Sequence, residues 1–314
     1  MPLTRRRFLK LAAVAALSTA LPAAEAPKSI VAAARREGLA GGSPDAAAAD
    51  AVGAALCGAA GADSAKEAWA RILRPEETVG IKVNCLAYRP APVVAALVES
   101  LLSAGVAPGK IIVWDRLEGE MEEAGFAVQR DASRVRYLGT DSPGYGYDMR
   151  ATLHRSVGTN FSSILSQHTG ALVSACVLKD HNLAGVSLCL KNLYGCIANP
   201  NKFHDGGCNP YVADLADHPT VRSRMRLAVI DASWGQCERG PAPVPKWRWP
   251  AATVAASRDP VAVDAWGWRA IEGQRAARGL PSLEEAGRPP RYIETAAGMG
   301  LGEVAPERIR VLEV

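Results

Sequence analysis

The sequence lacks the short motifs that identify many enzyme classes. It contains no phosphate-binding loop, no HExxH pair and no G-x-S-x-G nucleophile elbow. None of its seven cysteines has C-x-x-C spacing, which excludes the common short zinc and iron–sulfur patterns. An odd number of cysteines also leaves at least one thiol unpaired within the chain. Residues that only the fold brings together must therefore carry the function.

No apolar run reaches the roughly 20 residues needed to cross a bilayer. The run at residues 11–21 is about half that length and follows Arg5-Arg6, with Phe8, Leu9 and Lys10 next. This order is typical of a twin-arginine export signal. A small-residue cleavage site at residues 24–26 follows Pro22, so we predict that residues 1–26 are a removable signal peptide. An amphipathic N-terminal helix is the alternative.

The signal peptide predicts a location and a first partner. We expect a periplasmic or otherwise exported protein that meets the twin-arginine translocase during export and has no membrane anchor after processing. This route carries folded proteins, many of which load a cofactor beforehand. Removing the leader takes away four basic residues and one acidic residue, so the formal charge falls from +4 to about +1. The mature chain has no basic excess to favour nucleic acid as a partner.

The rest of the chain predicts an α/β fold. Residues 27–77 are expected to form a helical N-terminal segment, lightly ordered at first and helical from about residue 44. From residue 78 to 314, short β-rich runs at 78–84, 110–115 and 226–231 alternate with helical spacing, as at 92–104. This alternation predicts a mostly parallel sheet with helices on both faces, as one domain or two closely joined lobes. Asp259 and Pro260 predict the start of a helix.

Reactive side chains are densest between residues 179 and 208. His181, His204 and Cys208 are the residue types that bind nickel, iron or zinc, so we predict a transition-metal or metallocofactor site there. A hydrogen-bonded structural histidine is the alternative for His181. Lys191 and Asn192 interrupt an apolar stretch, and a buried ammonium needs a partner or a lowered pKa. We therefore predict that Lys191 is catalytic or, with Asn192, binds a cofactor.

A second group of candidates is expected at the ends of predicted strands. In open α/β sheets, ligands bind beyond the carboxyl ends of the strands. Asp115 and Asp231 each end a predicted strand, and Lys82 and Asn84 end the first. We predict that Lys82 and Asp231 are catalytic, as is His181. Local hydrogen bonding is the alternative for the two residues at strand ends.

In combination these short segments resemble the domain of unknown function 362 family from about residue 78 onward. The resemblance rests on Ile81-Lys82-Val83-Asn84, Lys179-Asp180-His181, residues 187–195, His204, Asp231 and residues 257–264. Some members of that family carry an added ferredoxin-like cysteine module, which is absent here. The order of His181, Lys191 and His204 is also distantly similar to the nickel-pincer lactate racemases. That resemblance implies a lysine that anchors a cofactor and histidines that hold nickel or move protons.

Two functions follow as hypotheses. The first is a periplasmic metal- or metallocofactor-dependent enzyme acting by redox or proton-transfer chemistry on a small-molecule ligand. The second is a non-catalytic periplasmic binding or accessory protein for a small anion, using Lys82, Lys191 and the glycine-rich loops.

Overall fold

A computed structural model describes residues 29–41, 44–86 and 91–314. The predicted signal peptide at residues 1–26 lies outside the described residues. The strands are β1 Ser29–Arg35, β2 Val79–Lys82, β3 Ile111–Asp115, β4 Arg136–Gly139, β5 Thr152–His154, β6 Val157–Thr159, β7 Ala171–His181, β8 Gly185–Val186, β9 Met225–Gln236, β10 Arg248–Ser257 and β11 Ile309–Glu313. The α-helices are α1 Pro44–Ala60, α2 Ala65–Ile72, α3 Ala91–Ser103, α4 Glu118–Glu123, α5 Cys189–Asn192, α6 Tyr211–Asp217, α7 Pro219–Arg222, α8 Pro260–Ala277 and α9 Arg291–Gly298.

One mixed sheet runs through the protein in the order β11-β1-β10-β9-β7-β2-β3-β4. Strands β9, β7, β2, β3 and β4 are parallel to one another, and β11 is parallel to β1. Only β10 runs antiparallel to both of its neighbours within this described order. The prediction of an α/β fold with a mostly parallel sheet is therefore confirmed.

Helices cover both faces of the sheet. Along β7, Leu172, Cys176 and Leu178 join an apolar cluster with residues of α6, α8 and α9. Ala171 and Val173 point the other way, into a cluster with residues of α1, α2 and α3. Successive strand residues alternate between faces, so a strand that is buried on both sides reads as a continuous apolar run.

The N-terminal segment differs from the prediction of a lightly ordered, helical region. Its first described residues form β1, which pairs with β11 and β10 in the main sheet. The strand is mostly alanine, which has a low intrinsic preference for strands, and pairing on both sides overrides that preference. The helices expected from about residue 44 are present as α1 and α2.

The predicted start of α8 is confirmed. One carboxylate oxygen of Asp259 accepts hydrogen bonds from the backbone N–H groups of Val261 and Ala262, both at 2.9 Å, and Pro260 occupies the first helical position. Across the described residues, no helix is both long enough and apolar enough to span a bilayer.

Candidate active site

A cavity of about 200 Å³ opens at the carboxyl ends of the parallel strands β2, β3 and β7. This is the edge at which α/β proteins bind ligands. Its charged and polar lining includes Lys82, Asn84, Asp115, Arg116, Glu120, Lys179, His181, Ser187, Lys191, Asn192, Tyr194 and His204.

Lys82 and Asp115 form a buried ion pair at the base of the cavity. Lys82 Nζ donates to Asp115 Oδ1 at 2.6 Å, to the Val83 carbonyl at 2.6 Å and to Asn192 Oδ1 at 3.3 Å. An ammonium has three N–H donors, so those of Lys82 are fully used by the protein. Gly195 permits this packing, because a Cβ atom there would overlap the Lys82 ammonium group.

The short helix α5 carries both Lys191 and Asn192. Its first two backbone N–H groups donate to Asp264, with Cys189 N and Leu190 N at 2.8 and 2.9 Å from the two carboxylate oxygens. Burial raises the pKa of Asp264 to about 8, although these two hydrogen bonds act to lower it. Asp264 lies on α8, so the long helix fixes the position of α5 and of its two site residues.

Lys179, which is not among the predicted site residues, is buried in the same cavity. Its Nζ donates to Asn84 Oδ1 at 3.0 Å, to the Pro241 carbonyl at 3.2 Å and to the Leu86 carbonyl. Burial, and then the nearby charge of Lys191, lower the pKa of Lys179 to about 8. All three of its donors are used on neutral acceptors, so its positive charge is fixed but not neutralised.

Lys191 is only 6% exposed and uses one donor on the protein. Its Nζ lies 3.3 Å from His204 Nε2 and 4.7 Å from the centre of the Tyr194 ring. Burial lowers the pKa of Lys191 to about 8. No carboxylate among the described residues pairs with it, so two N–H donors remain for a ligand.

His181 is held as a hydrogen-bond donor toward the cavity. Its Nδ1 accepts from the backbone N–H groups of Leu183 at 3.1 Å and Ala184 at 3.3 Å, which places the proton of the neutral ring on Nε2. Burial, followed by the charge of Lys191, lowers the pKa of His181 to about 2. The ring therefore stays neutral and offers Nε2–H to a ligand.

His204 has the opposite tautomer. Its Nδ1 lies 3.2 Å from the Pro200 carbonyl and must donate to it, so Nε2 carries a lone pair that faces Lys191. Burial and the charge of Lys191 lower the pKa of His204. The rings of His181 and His204 stack with their centres 5.7 Å apart. The two histidines thus frame Lys191 as one donor and one acceptor.

The structure does not support the predicted metal ligand set. Within residues 29–41, 44–86 and 91–314, no group of three or more histidine, cysteine, aspartate or glutamate side chains is placed to hold a metal ion. His181 and His204 line the cavity, but Cys208 is buried outside that lining, and burial raises the pKa of its thiol. The donor set does not fit a metal, so we propose no step through one.

Asp231 is also not on the rim of this cavity, contrary to the prediction. Strand β9 does not end at Asp231 but continues to Gln236. Leu227 and Val229 face the apolar cluster of α1, α2 and α3, and strand alternation puts Asp231 on that same face. It lines a separate cavity there.

Five predicted site residues therefore meet in one cavity, namely Lys82, His181, Lys191, Asn192 and His204. Their proposed roles remain predictions. Sequence reasoning missed Lys179 as a site residue, and it missed the contact of Asp264 with α5. The signal for Lys179 was its position directly before Asp180-His181 at the end of a buried run.

Comparison with known proteins adds one match. The family model for Domain of unknown function (DUF362) matches residues 79–269, from β2 into α8. This span includes all five residues named above. A search of curated proteins gave no match. With well over half of its length matched, the chain belongs to the DUF362 family.

Proposed function

We propose that the protein is an enzyme that binds a small anionic substrate in this cavity and transfers a proton at Lys191. The observation that carries the proposal is the state of Lys191. It is a buried ammonium with one neutral hydrogen-bond partner, His204, and two donors left for a ligand. A buried charge without an opposite charge is costly, and an anionic ligand would supply the missing partner.

The charge of the cavity supports an anion. Lys82, Lys179, Lys191 and Arg116 line it, against Asp115 and Glu120. The ion pair of Lys82 with Asp115 is internal, so the excess positive charge lies around Lys179 and Lys191. Arg116 Nε is buried without a hydrogen-bond partner, which adds a further unused donor. A carboxylate or another small oxyanion fits these groups.

The pKa of Lys191, at about 8, suits acid–base chemistry near neutral pH. In its ammonium form Lys191 can protonate or stabilise an oxyanion, with His181 Nε2–H as a second donor. In its amine form it can take a proton, and His204 Nε2 is positioned to accept from it. These groups would stabilise the negative charge that develops on oxygen when a proton leaves the carbon next to a carbonyl.

Solvent hydrogen exchange tests this proposal. Small 2-oxo and 3-oxo acids would be incubated with the protein in D₂O, and loss of the carbon-bound proton followed by NMR. We expect exchange catalysed by the wild type and a loss of at least about 100-fold with Lys191→Met, the lower end of what a general acid or base contributes. Absence of both exchange and binding across the panel would overturn the proposal.

A non-catalytic protein that binds a small anion is the second candidate. The fully bonded donors of Lys82 and Lys179 favour it, because they provide fixed positive charge without a free reactive group. It predicts that carboxylates or inorganic anions raise the melting temperature while no exchange occurs. Binding without exchange would decide for this candidate.

We also propose that the protein is exported through the twin-arginine translocase and acts in the periplasm. The basis is the sequence of residues 4–26, with its arginine pair, short apolar run and small-residue cleavage site.

Elemental analysis of the protein purified from its native host tests separately whether the protein carries a metal. Less than about a tenth of an equivalent would count against a resident metal.

A further inference from the structure

A second cavity lies at the same edge of the sheet as the candidate active site, but on the opposite face. It is bounded by the end of β7, by β9 and by the residues around α4, and its volume of about 780 Å³ is in the range of small-molecule sites. Its apolar lining residues include Leu39, Ala40, Pro92 and Val177.

The charged residues in the described lining of this cavity are all acidic. Glu122 and Glu123 are exposed at the end of α4, whereas Asp231 is only 7% exposed. No lysine, arginine or histidine lines the cavity in the part of the chain that the structure describes. Arg248 stacks on the Trp234 ring at 4.7 Å but is not part of the lining. The described linings of the two cavities therefore have opposite charge.

Asp231 is the unusual residue of the cavity. One carboxylate oxygen, Oδ1, accepts from the backbone N–H of Ser233 at 2.9 Å, and the Ser233 side chain also contributes a hydrogen bond. No cation pairs with this carboxylate within the described residues. A buried carboxylate normally receives several hydrogen bonds or a cation. Burial raises the pKa of this carboxyl to about 6, so it is mostly ionised at neutral pH, and no described residue supplies a counter-charge.

From this geometry we infer that the cavity is a second ligand site, which binds an aliphatic ammonium compound with its nitrogen on Asp231. The N–H groups of the ligand would donate to Oδ2, and its carbon chain would contact Val177, Leu39 and the neighbouring apolar wall. A ligand with a second ammonium group would place it near Glu122 and Glu123 at the outer part of the cavity. The site is independent of the proposed chemistry at Lys191.

Calorimetric titration with butylamine and 1,4-diaminobutane tests this inference, with butyrate as the anionic control. We expect both amines to bind the wild type, the diamine more tightly, and butyrate not to bind at this site. Asp231→Asn keeps an acceptor for Ser233 N–H but removes the charge, and should weaken amine binding at least about tenfold. Lys191→Met should leave amine binding unchanged, which separates this site from the first cavity.

A second variant covers the case in which Asp231→Asn does not fold. Ala40→Phe introduces a bulky side chain at the cavity wall without changing its charge, and should also abolish amine binding. Absence of amine binding to the wild type would overturn the inference. Equal binding by wild type and by every folded variant of this pair would overturn it as well.

Discussion

Lys191 Nζ lies 3.3 Å from His204 Nε2, and His204 Nδ1 in turn faces the Pro200 carbonyl at 3.2 Å. This chain of contacts fixes the tautomer of His204 and makes it an acceptor for Lys191. Lys191 is buried and His204 is half-buried, and a nearby charged side chain in the cavity, Lys179, is positive. The consequences for stability and binding can be measured separately.

Lys191→Met should stabilise the protein at neutral pH. The folded-state pKa of Lys191 is about 8 against 10.5 for an ordinary lysine, so below pH 8 the folded protein holds a proton that the unfolded chain binds more tightly. Keeping Lys191 protonated therefore lowers the free energy of unfolding by about 3 kcal/mol, at ~1.4 kcal/mol per pKa unit. From pH 8 to 10.5 the wild type should recover this stability. Urea unfolding of both proteins at pH 7 and pH 10 measures it, and a variant less stable at pH 7 would contradict the lowered pKa.

Anion affinity should fall as the pH rises through about 8. Lys191 and Lys179 both have pKa values near 8, and each loses its positive charge above that value. Titration of a binding carboxylate between pH 6.5 and 9.5 gives the profile. Lys191→Met should bind more weakly and show a shallower profile, because only Lys179 still titrates. A flat profile in the wild type would rule out binding by these two lysines.

Gly195→Ala should disturb the ion pair of Lys82 and Asp115. A methyl group at Gly195 would overlap the Lys82 ammonium group and lie 2.9 Å from Asp115 Oδ1. Overpacking of this kind costs about 1–3 kcal/mol. The matched control is Gly273→Ala in α8, where no atom outside the helix's own backbone lies within 4 Å of the added methyl group and the change should be neutral or stabilising. Equal melting temperatures for the two variants would contradict the close approach of Gly195.

Arg288→Met should destabilise the protein, because Arg288 holds the end of β7 at Asp180 and His181. Arg288 donates to Asp180 at 2.8 Å, to the His181 carbonyl at 2.9 Å and to Glu238 at 2.6 Å. Removing it leaves the fully buried carboxylate of Asp180 without a cation, which costs about 3–5 kcal/mol.

The control for Arg288 is Arg291→Met, which removes a solvent-exposed ion pair with Glu284 and should cost less than about 1 kcal/mol. Denaturant unfolding compares the two variants. A similar small loss in both would show that the Asp180 pair contributes little.

Replacing Arg5 and Arg6 together with lysine should leave the precursor in the cytoplasm, because the translocase recognises the arginine pair. Arg7→Lys changes the adjacent basic residue with the same chemistry and should still be exported. Cell fractionation with N-terminal sequencing of the product reports both export and the predicted cleavage after residue 26. Undiminished export of the double variant would refute the twin-arginine assignment.

Sequence patterns predicted much of the fold and part of the site. The strands β2 and β3, the helix α3 between them and the cap at Asp259 each have a local signature, and each is present. Strand β1 was not predicted, because its alanine-rich sequence forms a strand only through pairing with β10 and β11. Strand β7 is longer than its apolar run, because pairing with β8 and β9 extends it through Lys179 to His181.

The sequence by itself determined the fold class, through alternating strand and helix periods, and it marked the segment that contains His181, Lys191 and His204. Only the tertiary structure decided which of the candidates share a cavity. Strand alternation places the Asp231 carboxylate with Leu227 and Val229, on the opposite face from Lys82, and β9 continues beyond it to Gln236. The fold also buries Cys208 behind the lining residue Tyr194 and Lys179 within the cavity. Local patterns record which residues are apolar or reactive, whereas the face and edge that each one reaches depend on pairing between distant strands.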